Sequence, residues 1–132
     1  MIRASLAALA VVLVATPAIS GFRAPGGVEV NPLGPRSFET VGRTAASPRE
    51  YWCAAADYAH RALGAAWTDR IYVVRGLGPS QTTGRRSAVQ FSLDPVAGSG
   101  GDSGVVASPL QVGDSMLVQR ARIECTAPPA RF

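Results

Sequence analysis

One helix is written into this chain with both of its ends, and what surrounds it reads as strand or turn. Ser47-Pro48-Arg49-Glu50 is a capping box. The Ser47 hydroxyl can accept from the N–H of Glu50 while the Glu50 side chain reaches back to the N–H of Ser47. Pro48 falls at the first helical position, where its missing N–H costs nothing. Gly64 closes the other end. The spacing predicts a helix of 16 residues over Pro48–Leu63, about 24 Å long. Trp52, Ala55, Ala56, Ala59, Ala62 and Leu63 make one apolar stripe. Its alanines make that face flat, so it can lie close on a sheet. Arg49, Asp57 and Arg61 are expected to point to water, with Asp57 and Arg61 as a favourable i, i+4 pair.

The remaining segments carry β patterns. Arg36–Gly42 is expected to be a strand, and Val28–Val30 a short one. Arg70–Arg75 (RIYVVR) is rich in strand formers. Ser87–Leu93 alternates: Val89, Phe91 and Leu93 face one way, and Ala88, Gln90 and Ser92 the other, as in a half-buried strand. The turn-rich loop Gly76–Arg86 joins these two strands, so an antiparallel pair is the economical reading. Asp94–Ser108 is a glycine-rich loop without internal structure. Ser115–Cys125 is expected to be the last strand, with Leu117, Ala121, Ile123 and Cys125 on its inner side. One helix and consecutive strands make an α+β fold: one helix packed on an antiparallel sheet of about four strands, in a single domain. The same order occurs in cystatin-like folds, though their Gln-x-Val-x-Gly loop is missing here.

The N-terminal residues bound where the chain works. Arg3 precedes a 12-residue apolar run, Ala4–Ala15, too short for the roughly 20 residues of a membrane span. Pro17 and small residues follow. This is the pattern of a secretory signal peptide. Ala18 and Ser20 suit cleavage before Gly21, while Thr16 and Ala18 suit cleavage before Ile19. The expected organisation is a signal peptide at 1–20, an extended Gly/Pro-rich lead-in at 21–35, an α+β domain at 36–126 and a frayed tail at 127–132. After signal cleavage no apolar stretch approaches membrane length. All 13 basic residues are arginine. Without Arg3 they number 12 against 9 acids, a net charge near +3. Only Arg85-Arg86 is contiguous, which argues against a nucleic-acid partner.

Two cysteines remain, Cys53 and Cys125. An even count in an exported chain implies a disulfide. REYWCAAADYAHRALG, DRIYVVRGLGPS and GRRSAVQFSLDP together resemble uncharacterised small exported bacterial proteins of no known activity. The resemblance covers most of the mature chain. It implies export and no mechanism.

Four features invite chemistry. Gly101-Asp102-Ser103-Gly104 matches the four letters around a trypsin-like nucleophile. The lone histidine, His60, precedes Ser103 by only 43 residues, and the surrounding family features are missing, so no catalytic role is carried over. The same glycines do not complete a phosphate-binding fingerprint. Cys53 and His60 sit seven positions apart on one helix, about 10.5 Å of rise, too far for a thiol and its base. One histidine and two half-cystines leave too few metal ligands. Neither a metal nor a cofactor is expected. Arg70, Arg75, Arg85 and Arg86 flank one hairpin loop together with Ser80, Thr82 and Thr83. Arg75, Arg85 and Arg86 are the binding candidates, and their charge suits an anionic envelope component or another exported protein. Trp52 and Trp67 are expected in the core or at its edge. The expected function is a small exported, periplasmic or secreted, non-enzymatic binding or accessory protein. The competing readings are a small hydrolase using Ser103 and a protease-inhibitor-like module.

Overall fold

A computed structural model describes residues 7–13, 21–96 and 110–126. Ser103 with its glycine-flanked motif, the rest of segment 97–109 and the tail 127–132 lie outside the described residues. The elements in chain order are β1 (Phe22–Arg23), β2 (Glu29–Pro32), β3 (Ser37–Val41), α1 (Pro48–Arg61), β4 (Arg70–Gly78), β5 (Ala88–Ser92), β6 (Ser115–Leu117) and α2 (Val118–Ile123). One sheet runs β1-β2-β3-β5-β4-β6, with every neighbouring pair antiparallel. The α+β class is observed. Among the described residues the sheet has six strands rather than about four, and there are two α-helices rather than one.

The additional strands come from short segments with no room for a period. The segment read as an extended lead-in supplies β1, and the short strand expected at Val28–Val30 is observed as β2. Gly26 and Gly27, at φ +83° and +80°, let the chain reverse between them. The Ala24 N–H donates to the Val28 carbonyl at 2.9 Å across that turn. A conformation with positive φ is open to glycine at little cost.

The helix α1 starts at Pro48 as its signals dictate and ends at Arg61, two residues before the expected Leu63. The Glu50 carboxylate accepts from the Ser47 N–H at 2.6 Å. At the far end Gly64 takes φ +69°, and the Ala65 N–H reaches back to the Ala59 carbonyl at 2.9 Å, the bond that closes a glycine-terminated helix. Trp52, Ala55, Ala56 and Ala59 are buried, while Ala62 is exposed. They meet an apolar sheet face made of Val30, Phe38, Val89, Phe91, Val73 and Ile71. Trp52 sets its ring edge-on to Phe91 at 5.2 Å, and Phe38 lies 4.7 Å from the ring of Tyr58. Fully buried aromatic side chains such as Phe38 and Phe91 stabilise by about 1.5–3 kcal/mol each.

Two expectations about side chains are corrected. Asp57 does not point to water: it is only 3% exposed. Arg61 grips both of its carboxylate oxygens, at 2.8 and 2.7 Å, which makes the burial tolerable. β5 is buried on both faces rather than half-buried.

The last strand is also corrected. Only Ser115–Leu117 pairs with β4; the chain then coils into α2. Gln, Arg and Ala are good helix formers. Val118 and Ala121, three apart, are the buried positions of α2. Ile123, expected inside by strand parity, is 57% exposed. Helical spacing instead places Cys125 beside α1, where it forms the disulfide with Cys53, Cα–Cα 4.8 Å. The bridge therefore ties α1 to the turn that follows α2. At the N-terminal side, residues 7–13 have no regular structure, and Leu9, Val11, Val12 and Leu13 are 75–90% exposed. Among the described residues, no helix is long and apolar enough to cross a membrane.

Candidate functional site

The face of the sheet turned away from α1 is polar. Phe38, Phe91 and Val73 lie in register on the helix side. Side chains alternate along a strand, so their neighbours form a row on the other side. Asn31 stands opposite Glu39, Glu39 opposite Gln90, and Gln90 opposite Arg75. Glu39 is fully buried and Gln90 is 6% exposed.

What covers Glu39 is the β4–β5 loop. The pairing of β4 with β5 shifts register between Val73 and Arg75 and again between Arg75 and Gly78. Such bulges bend a strand and re-aim its end. The loop beyond Gly78 then folds back over β3. The Ser80 hydroxyl donates to Glu39 Oε2 at 2.8 Å, and the Gln81 N–H to Oε1 at 2.8 Å. Thr82 donates twice to Oε2, from its hydroxyl at 2.6 Å and its N–H at 3.1 Å. Asn31 Nδ2 in turn donates to the Thr82 hydroxyl at 2.8 Å. Burial by itself raises the pKa of Glu39, but the bonds from Thr82, Gln81 and Ser80 outweigh it and hold the carboxyl below its ordinary 4.5. A carboxylate whose lone pairs are occupied in this way is an anchor and not a proton acceptor for chemistry.

The loop is braced internally as well. The N–H groups of Thr82 and Thr83 reach the Ser80 hydroxyl at 3.1 and 2.9 Å. The Arg85 N–H donates to the Thr83 hydroxyl at 3.2 Å, and the Ser80 N–H to the Arg85 carbonyl at 2.7 Å. Gly84 supplies the positive φ, +78°, that the tight return requires. At the exit, the Tyr51 hydroxyl donates to the Ser87 carbonyl at 3.0 Å, which fastens the loop to the first turn of α1. Burial first, and then the charge of Glu50, raise the Tyr51 pKa, while Arg85 pulls it down. Arg85 therefore lies within electrostatic reach of that ring.

The expected arginines divide into two roles. Arg85 and Arg86 are exposed on the loop. Arg75 turns inward: it donates to the Pro79 carbonyl and stands 3.7 Å from Glu39. Arg70 lies at the far end of β4, with Nη1 3.3 Å from the Ser115 hydroxyl. Among the described residues, Arg75 Nε and Gln90 Nε2 are buried donors with no hydrogen-bond partner, and they belong to strand partners in register. A buried donor left unmatched costs about 1–3 kcal/mol.

The other candidates separate. Cys53 is in the disulfide, so its thiol is not free. His60 Nδ1 is 3.0 Å from the Ala65 carbonyl, and its ring stacks on Trp67 at 3.7 Å between centroids. Trp52 is in the core, but Trp67 is 42% exposed, against expectation. It follows Gly64 on the turn into β4, where a residue can cover His60 without entering the core. Among the described residues, no group of three or more His, Cys, Asp or Glu can hold a metal ion. Sequence reasoning missed Asn31, Glu39 and Gln90. Each occupies an alternate position of a strand and reads locally as a solvent-facing residue. Only pairing in space shows that they form one row under a loop. No protein-family model, curated protein or solved structure matches the chain.

Proposed function

We propose that this is a small exported binding or accessory protein without catalysis of its own, and that it captures an anionic envelope component through the β4–β5 loop. The observation that carries this reading is the anchoring of that loop on the buried carboxylate of Glu39. A free loop loses conformational entropy when it binds; one already held in place has lost it on folding, which favours affinity. Here the fixed loop presents Arg85 and Arg86 to solvent. Their guanidinium groups suit phosphate or carboxylate oxygens. Export is supported by the disulfide, since such bonds persist in oxidising compartments. It is also supported by the exposed apolar side chains of residues 9–13, which lie off the core. The resemblance to small exported bacterial proteins points the same way.

The test uses the oxidised protein from Gly21 onward. Vesicles of phosphatidylglycerol and phosphatidylcholine, vesicles of phosphatidylcholine alone, and a polygalacturonate resin are offered in low salt. Capture by one of the anionic probes is expected. It should fall at least fivefold in Arg85→Ala/Arg86→Ala and weaken as salt rises. Equal capture by neutral vesicles, or unchanged capture by the double variant, overturns the assignment of this loop.

A further inference from the structure

We infer that the exported protein begins at Gly21 and that its new α-ammonium group is held by the carboxylate of Glu29, an ion pair that closes the outer edge of the sheet only after the leader is gone. This rests on the export reading above and goes beyond it.

Gly21 sits one residue before β1. Phe22 pairs with Val30 and Arg23 with Glu29. Continuing that register puts Gly21 opposite Asn31, with Glu29 diagonal to it on the same face. The Glu29 side chain leans across to Gly21. A Cβ on Gly21 would stand 2.7 Å from Glu29 Oε1, 3.2 Å from its Cγ and 3.3 Å from its Cδ. The backbone nitrogen is about 2.5 Å from that Cβ position, so it lies no more than about 5 Å from Oε1. Asn31 Nδ2, 3.4 Å from the same oxygen, helps orient the carboxylate. The missing side chain at Gly21 is what lets the carboxylate approach.

Within the uncut chain that nitrogen is a neutral amide. Hydrolysis by a leader endopeptidase adds water across the bond before Gly21. The water oxygen stays with the leader as part of its new carboxylate. The nitrogen leaves with Gly21 and is protonated. A positive charge then appears within reach of Glu29. Cleavage before Ile19, which the sequence also allows, leaves the Gly21 nitrogen an amide and the pair unformed. The pair matters because β1 is a two-residue edge strand. Besides its pairing with β2, its fastenings include the Phe22 ring, edge-on to Tyr58 at 5.2 Å, and Arg61, 4.7 Å above that ring.

The experiment expresses the full chain in an exporting host and measures the intact mass and the titration of the Gly21 amine by 15N NMR. Among the described residues, Glu29 of β2 leans to Gly21, Arg23 of β1 stands opposite Glu29, and Arg61 of α1, paired with Asp57, lies over the neighbouring Phe22 ring. A chain starting at Gly21 is expected, with its amine titrating above the ordinary value near 8. Glu29→Gln should return it to that value and speed exchange of the Phe22 and Arg23 amides about threefold. Acetylation of the amine removes its charge and should speed exchange of the same two amides to the same extent. If Glu29→Gln does not fold, Glu29→Asp and the wild-type titration decide. An exported chain starting at Ile19, or an ordinary amine in the wild type, overturns the inference and leaves export standing. An uncut chain retained in the cytoplasm overturns both.

Discussion

Glu39 keeps its charge inside the protein because the loop above it supplies donors from Ser80, Gln81 and Thr82. Charged hydrogen bonds of this kind contribute about 1.5–3 kcal/mol each, while a buried carboxylate without them would be costly. Glu39→Gln keeps the shape, removes the charge and turns an amide donor towards other donors. At pH 7 this should cost about 2–4 kcal/mol in urea unfolding. The pH dependence has a definite sign. The folded pKa lies below 4.5, so the charge-dependent stability is fully present above the unfolded value. It is lost as pH falls through the folded value. Wild type and variant should therefore converge in acid. A gap that persists unchanged at pH 3 would mean that packing, and not charge, holds the loop. The Glu39 role was not legible locally: in SFETV it looks like any polar residue on the outer side of a strand.

At the scale of elements, the two helices differ in what forms them. α1 carries its own start and stop, Ser47-Pro48-Arg49-Glu50 and Gly64, and an alanine stripe for the sheet. α2 has six residues, no side-chain cap and two buried positions. Helices shorter than about 12 residues are marginal alone. Its neighbours hold it: the disulfide to α1, and Glu124, which meets Arg120 at 2.6 Å and Arg49 of α1 at 3.3 Å. Replacing both cysteines by alanine opens a closed loop with a sequence separation of 72, for which chain entropy gives a loss of about 4 kcal/mol. Amides of Gln119–Ile123 should lose most of their exchange protection while those of β3 and β5 keep theirs. Equal loss throughout would show that α2 is bound into the core more firmly than its two buried residues suggest.

At the scale of the whole molecule, the sheet has one face for stability and one for the loop. Phe91→Ala removes a fully buried ring that touches both Trp52 and Phe38, and should cost about 3–5 kcal/mol. Arg85→Ala/Arg86→Ala changes exposed side chains and should move stability by less than about 0.5 kcal/mol. Thermal unfolding of the two variants checks this division. A strongly destabilised arginine variant would mean that the loop supports the fold rather than displaying a surface.

The sequence by itself determined the α+β class, α1 with its start and its Gly64 stop signal, β3, β4 and β5, and the pairing of its two cysteines. These follow from local rules: capping chemistry, the period of apolar residues, and the count of thiols. Only the tertiary structure decided that Phe22–Arg23 is a strand, that Val118–Ile123 coils, and that Asp57 and Glu39 are buried. A two-residue strand has no period to read. A six-residue helix is held by its neighbours, and a buried carboxylate depends on donors far along the chain, 41 to 43 residues away in the case of Glu39.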